Sequence, residues 1–341
     1  MGKIYHVVDS IKGGCGKTTF SIMLCEYLER KIENENEHAC LLDMDFLGTG
    51  MQDLLLTKED KENFPKEYNY ITDKIRVIQE NDKKFIKAVK VQDRILYVGF
   101  SNPLYRAKEE YRFTSKYNYA PIVKYGIFRS GIRSLLSGEE LEKNVLGVKH
   151  VVIDMSPSSD AYSESVKDCL FDKKYSNFMK EKDLCYYYLM VGMDGGHVGT
   201  AKDYLRDFMI ASDRMPDKIF VVFNDIMRIV NADEKKEVQE QYDGRIQEFK
   251  ARLSKIPKKK LKNIYFISLN YFTEYIKKTH TMRALCEPPK PGDREEIFQA
   301  IPFQCACLYK GSMRKVITAT STVNEGEISE NEILEWITKD K

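Results

Sequence analysis

The chain has 341 residues, 43% of them hydrophobic and 31% charged, with a formal net charge of +2. These values describe a globular protein with room for a sizeable core, and the near-neutral charge excludes a generally nucleic-acid-binding surface, leaving only local patches for that role. No apolar run reaches the roughly 18 residues of a membrane-spanning helix, and eight cysteines without a Cys-x-x-Cys pair argue for reduced, buried thiols in a cytoplasmic protein rather than a disulfide framework.

In chain order, the first predicted element is a short apolar strand over residues 4–8, which begins so early that no secretory leader is expected ahead of it. It runs into a glycine-rich stretch, Lys12-Gly13-Gly14-Cys15-Gly16-Lys17-Thr18-Thr19. A helix over 17–31 follows, with Phe20, Leu24, Tyr27 and Leu28 at helical spacing. A strand over 39–42 ends in Asp43-Met44-Asp45. The polar stretch 57–70 reads as an exposed insertion with helical parts, and 95–100 as a further strand. Residues 101–125 interleave Arg106, Lys108, Arg112 and Lys116 with Tyr105, Tyr111, Phe113, Tyr117 and Tyr119.

A helix within 125–138 leads to an apolar strand, 151–153, closed by Asp154. Strands over 186–191 and 219–223 flank a helix over 200–212. A long charged helix is expected over 232–253, a strand over 264–269, and an amphipathic stretch over 329–341 opened by the Ser329/Glu332 capping box. The alternation argues for an α/β, doubly wound, mostly parallel sheet of about seven or eight strands with helices on both faces. One domain over 1–341 is expected, with an insertion at about 57–125 and a helical tail at about 329–341.

The chemistry concentrates at strand ends, where doubly wound sheets bind ligands. A strand, a glycine turn and a helix form a phosphate cradle. The glycines allow backbone N–H groups to face an anion, and the helix dipole reinforces the same position. Lys17 supplies a charge for β- and γ-phosphates and Thr18 a hydroxyl for Mg²⁺. Gly13, Gly14, Cys15, Gly16, Lys17, Thr18 and Thr19 are thus the candidate residues for binding a nucleoside triphosphate. Asp154, after its apolar strand, suits a carboxylate that reaches Mg²⁺ through water.

The loop lacks the first glycine of the ordinary phosphate-loop pattern, since position 11 is Ile11. With Lys12, Gly13, Gly14, Gly16, Lys17 and Thr18 it resembles the deviant Walker A ATPases of the SIMIBI class, such as ParA and MinD. The resemblance implies that the triphosphate is ATP and that Lys12 reaches a partner's nucleotide across an ATP-dependent homodimer. It implies that Asp45, the second acid of Asp43-Met44-Asp45, contributes to the metal site and activates the attacking water. It also implies that Asn224 and Pro302, the latter within residues 300–304, lie beside the base. Phe46 stands where many members carry proline, and Gln304 where aspartate is common. Asp154-Met155-Ser156-Pro157 matches the family segment that follows the Walker B acid.

The function implied is a slow, dimerisation-gated ATPase that positions DNA or a protein cargo. The alternatives are a nucleotide-bound regulatory module with little turnover, such as a defence-system component, or a bacterial tyrosine kinase. The last is disfavoured because Tyr186-Tyr187-Tyr188 lies in an apolar strand, not in a tail. Non-specific DNA binding, as in ParA-like proteins, would fall to Lys255, Lys258, Lys259, Lys260 and Lys262 or to the aromatic-basic stretch 105–119. The acidic terminal stretch is ill suited to an anionic membrane surface. His197 is expected in a loop, and a metal site from Cys286, Cys305 and Cys307 is the less favoured reading of those thiols.

Overall fold

The computed structural model describes residues 2–46, 50–75, 83–91, 94–102, 121–157, 161–192, 195–211, 215–224 and 264–269, with short pieces at 240, 244–245, 247–249, 251, 321–322 and 326–327. Its strands are β1 (Ile4–Asp9), β2 (His38–Met44), β3 (Ile86–Val91), β4 (Arg94–Gly99), β5 (Val148–Met155), β6 (Leu184–Gly192), β7 (Lys218–Asn224), β8 (Ile264–Leu269), β9 (Ser321–Thr322) and β10 (Gly326–Glu327). They form one sheet in the order β10-β9-β8-β7-β6-β1-β5-β2-β4-β3. The run from β8 to β4 is parallel throughout. Only β3 on β4, β9 on β8 and β10 on β9 pair antiparallel. The mostly parallel, doubly wound sheet expected from the sequence is the one found.

The central strands β1 and β5 are buried along their whole length, as strands covered on both faces must be. Successive side chains point to opposite faces, so Tyr5 and Val7 join one core layer while Ile4 and Val8 join the other. The first layer packs against α5 (Pro121–Leu136), α7 (Ala161–Phe171) and α8 (Gly195–Ala211) through Phe128, Ile132, Val166, Leu170 and Leu205. The second packs against α1 (Lys17–Lys31) through Phe20, Leu24 and Leu28. On that second face His6 is fully buried, with Nδ1 3.1 Å from the Tyr188 hydroxyl and Nε2 3.1 Å from His150 Nδ1. Burial first, and the neighbouring His150 second, push its pKa well below the ordinary histidine value.

Residues 57–70 have the helical part and the largely exposed face expected of them, but not throughout. Thr57 caps α3 (Lys58–Glu67) in a capping box with Asp60. Phe64, on the inner side of that helix, is fully buried against Phe100 and Tyr70. Polar composition concealed one deep anchor. Beyond it come α4 (Ile71–Ile75) and β3, an edge strand with alternating burial whose Lys87 pairs with Asp60 at 2.7 Å.

Between α6 (Gly138–Asn144) and β5, Gly147 has φ +72, and a Cβ there would meet the Asn36 carbonyl oxygen at 1.8 Å. The expected charged helix over 232–253 falls largely outside the described residues. The tail 329–341, the basic patch 255–262 and the stretch 105–119 lie wholly outside them.

Candidate functional site

β1 separates β5, β2 and β4 on one side from β6, β7 and β8 on the other. The loop that leaves its carboxyl end therefore stands where ligands bind in such sheets. Gly14 and Gly16 both have φ +82, a backbone region closed to most side chains. Gly13 lacks that excuse: its φ is ordinary and a Cβ there would meet nothing within 4 Å. No neighbour among the described residues demands glycine at position 13, whereas an anion pressed against the backbone would.

The helix α1 starts at Lys17 from Gly16 in the left-handed conformation, with no side-chain cap and no acid in its first turn. Its leading N–H groups are left for an anion, with the dipole in support. Lys17 is only 6% exposed, and Cys15 is buried with Sγ donating to the Lys12 carbonyl (3.2 Å). Ser10 Oγ donates to the same carbonyl at 2.9 Å. The Lys12 side chain is exposed, as a residue must be if it is to act outside its own subunit.

The acids converge as the strand register requires. Asp154 of β5 stands level with Val8 of β1 and Asp43 of β2. Asp154 is fully buried; Oδ1 accepts the Ser21 hydroxyl at 3.0 Å, and Oδ2 has no hydrogen-bond partner among the described residues. Burial is the main cause that raises its pKa to about 6. Lys17 and the Thr18 and Ser21 hydroxyls oppose the rise, and Asp45 adds to it.

Asp43 is driven well above the carboxylate range, by burial first and by Asp154 second. Its oxygens accept the Ser101 hydroxyl (2.8 Å) and the Asp45 N–H (3.2 Å). Asp45 is half-buried at the rim, its carbonyl 3.2 Å from Ser101 Oγ. Phe46, at the position where many members of the resembled family carry proline, is buried edge-on to Phe128 at 5.4 Å between centroids.

An orphaned buried carboxylate oxygen beside Lys17 and Thr18 is what a cation would satisfy, so these residues fit the group that the fold implies. Among the described residues no three His, Cys, Asp or Glu side chains form a cage that could hold a metal unaided. That suits Mg²⁺, which keeps waters and phosphate oxygens as ligands.

Lys17, Thr18, Asp45 and Asp154 are therefore brought together. Asn224 ends β7 in register with Gly192, and its side chain lies outside the described residues, as does Pro302. His197 sits in the first turn of α8 rather than in a loop, so close that a Cβ on Gly192 would meet its Nδ1 at 2.4 Å. Tyr186, Tyr187 and Tyr188 are buried in β6 as expected.

Sequence reasoning missed Ser21 and Ser101. Ser21 lies three residues past Thr18, on the same helix face, and that spacing could have found it. Ser101 lies two residues past the end of β4, a signal visible only once β4 is known to pair with β2. Among the described residues no helix is long and apolar enough to cross a membrane.

No protein-family model and no curated protein sequence matches the chain. Solved structures do match. A protein of Borrelia burgdorferi B31 assigned to plasmid partition, bound to AMPPNP, is similar over 89% of this chain and 99% of its own, with 17% identity and a TM-score of 0.50. The pNOB8 ParA bound to nonspecific DNA is similar over 90% of this chain and 93% of its own, with 11% identity and a TM-score of 0.52. The chain has the α/β phosphate-loop fold of the ParA-type ATPases. At these identities the likeness is one of fold, and the residues of the site must speak for its chemistry.

Proposed function

We propose that the protein is a ParA/MinD-like, Mg-ATP-dependent ATPase that dimerises over its nucleotides and acts as a switch in positioning DNA or a protein cargo. The observation that carries this reading is the buried Asp154 Oδ2, which has no hydrogen-bond partner among the described residues and lies beside Lys17 and Thr18 at the start of a helix without a side-chain cap. Thr18, Asp45 and, through water, Asp154 would hold Mg²⁺, which when bound supplies charge neutralisation at the β- and γ-phosphates.

The chain's own residues do the rest. The Gly13–Thr19 backbone binds the phosphates and Lys17 offsets their charge. Asp45 at the rim orients a water and holds its proton. Lys12, exposed and with its carbonyl tied down by Ser10 and Cys15, extends toward a partner's nucleotide. A cation completed only on dimerisation suits a timer rather than a metabolic turnover enzyme, because such a charge is worth on the order of a thousandfold in rate. Asn224 and Pro302 contact the base.

The ParA neighbour's nonspecific DNA and the Borrelia protein's AMPPNP support DNA and ATP as ligands to try first. A second reading, a nucleotide-bound module with little turnover, is favoured by Phe46. Its burial against Phe128 fixes the residue next to Asp45 in the core. Calorimetric titration with Mg-AMPPNP, followed by phosphate release with and without DNA, tests both. Tight binding with DNA-stimulated release supports the switch, binding without release supports the module, and no binding refutes both.

A further inference from the structure

Asp9, the last residue of β1, is 1% exposed and has no part in the site described above. Its Oδ1 accepts the N–H of Ser10 at 2.7 Å. Its Oδ2 accepts the hydroxyls of Tyr187 on β6 (2.6 Å) and Tyr204 on α8 (3.0 Å). Lys167 of α7, also buried, sets its Nζ 3.7 Å from the same oxygen and donates to the Tyr204 hydroxyl. On its outer side Lys167 pairs with the exposed Glu164 at 2.6 Å. Burial works against the Lys167 charge. Asp9 first, then Tyr204 and Glu164, overcome it and hold the pKa above the ordinary lysine value.

Two tyrosines and a backbone N–H already satisfy the Asp9 oxygens, so hydrogen bonding alone does not call for a buried ammonium. Desolvating a lysine is costly, and the cost is met only where a charge needs balancing. That charge stands directly under the phosphate loop. Asp9 adjoins Ser10, whose hydroxyl holds the Lys12 carbonyl, and the fields of both Asp9 and Lys17 reach the Cys15 thiol. In a low-dielectric interior a carboxylate placed so would oppose a polyanion in the loop over distances at which water would have screened it.

We propose that Lys167 is the counter-charge that prevents Asp9 from opposing a polyphosphate in the loop, so that the α7–α8 layer sets the affinity of the loop for its anion. This rests on the reading of the loop as a nucleotide site. Lys167 is a positioning residue: it acts through Asp9 and Ser10 and touches no ligand.

The test is the affinity of the full chain and its variants for Mg-AMPPNP and for ADP. Lys167→Met should weaken AMPPNP about tenfold and ADP about threefold, since a tenfold loss is what about 1.4 kcal/mol of added repulsion produces. Asp9→Asn combined with Lys167→Met should return both to within threefold of the parent protein. A packing role alone would weaken the two ligands equally and resist rescue, and that result, or unchanged binding by the single variant, overturns the proposal.

Should Lys167→Met fail to fold, Asp9→Asn alone and the double variant decide. Asp9→Asn must bind AMPPNP at least as tightly as the parent, and the double variant must match it. A tenfold loss in either overturns the proposal. If the parent protein itself binds no AMPPNP, the nucleotide reading fails and the counter-charge role goes with it. Binding by the parent with no rescue in the double variant sinks the counter-charge alone.

Discussion

Replacing Asp154 by Asn should stabilise the protein in the absence of magnesium. Burial and its acidic neighbour raise the Asp154 pKa to about 6, against an ordinary value near 3.9. A difference of about two units means that the ionised form costs the fold about 3 kcal/mol relative to the neutral form. Between about pH 4 and pH 6 the native state holds more protons at this residue than the unfolded chain does. Stability from this group therefore falls as pH rises through that window, and above it the full cost is present. Asn removes the charge and keeps an oxygen for Ser21.

For a chain of this length, at about 2.1 cal/mol/K of unfolding entropy per residue, 3 kcal/mol corresponds to about 4 °C in Tm. The assay is thermal unfolding in chelator across about pH 4 to 8, with the variant measured beside the parent. The difference between the curves should grow toward neutral pH and vanish near pH 4, and added magnesium should stabilise the parent but not the variant. Parallel curves, or a variant less stable at neutral pH, would refute the idea that the site carries an uncompensated charge.

Lys12→Ala should abolish phosphate release while leaving Mg-AMPPNP affinity within a few-fold; normal turnover at every protein concentration would end the cross-dimer role. Asp45→Ala should trap an ATP-bound dimer, visible by light scattering after size separation, and monomers alone with Mg-ATP would count against it. His6 is held neutral in the fold while an unfolded chain would protonate it, so stability should drop as pH falls below about 6.5. Replacing His6 by Leu should flatten that acid limb in urea melts. Gly147→Ala forces a positive φ and a contact with the Asn36 carbonyl, so it should cost at least about 2 kcal/mol by denaturant titration.

The central part of the fold was open to sequence reasoning because its strands are buried on both faces and read as plain apolar runs. The helix expected over 17–31 is α1, Lys17–Lys31, and the strand over 264–269 is β8. β3 escaped because edge strands alternate: with Lys87 and Lys90 between Ile86, Val89 and Val91, the segment looks like solvated surface. Phe64 escaped because one aromatic among eight polar residues and a proline in a ten-residue helix gives no periodicity.

In the site, the backbone-bound residues and the terminal acids were legible from strand, loop and spacing. Asp9 was not. A carboxylate at the end of β1 has no local signal of burial, and its partners Lys167, Tyr187 and Tyr204 come from three distant elements.

Cys15 gives the loop a built-in reporter. Its thiol is covered, bonded to the Lys12 carbonyl and pushed up in pKa chiefly by burial, so it should react sluggishly with a maleimide while the loop keeps its shape. A rearrangement that lifts the loop off the core would break that bond and uncover the sulfur together. Labelling kinetics at this one atom, with Cys15→Ser as the blank, would follow opening and closure in real time without an attached fluorophore disturbing the pocket beforehand.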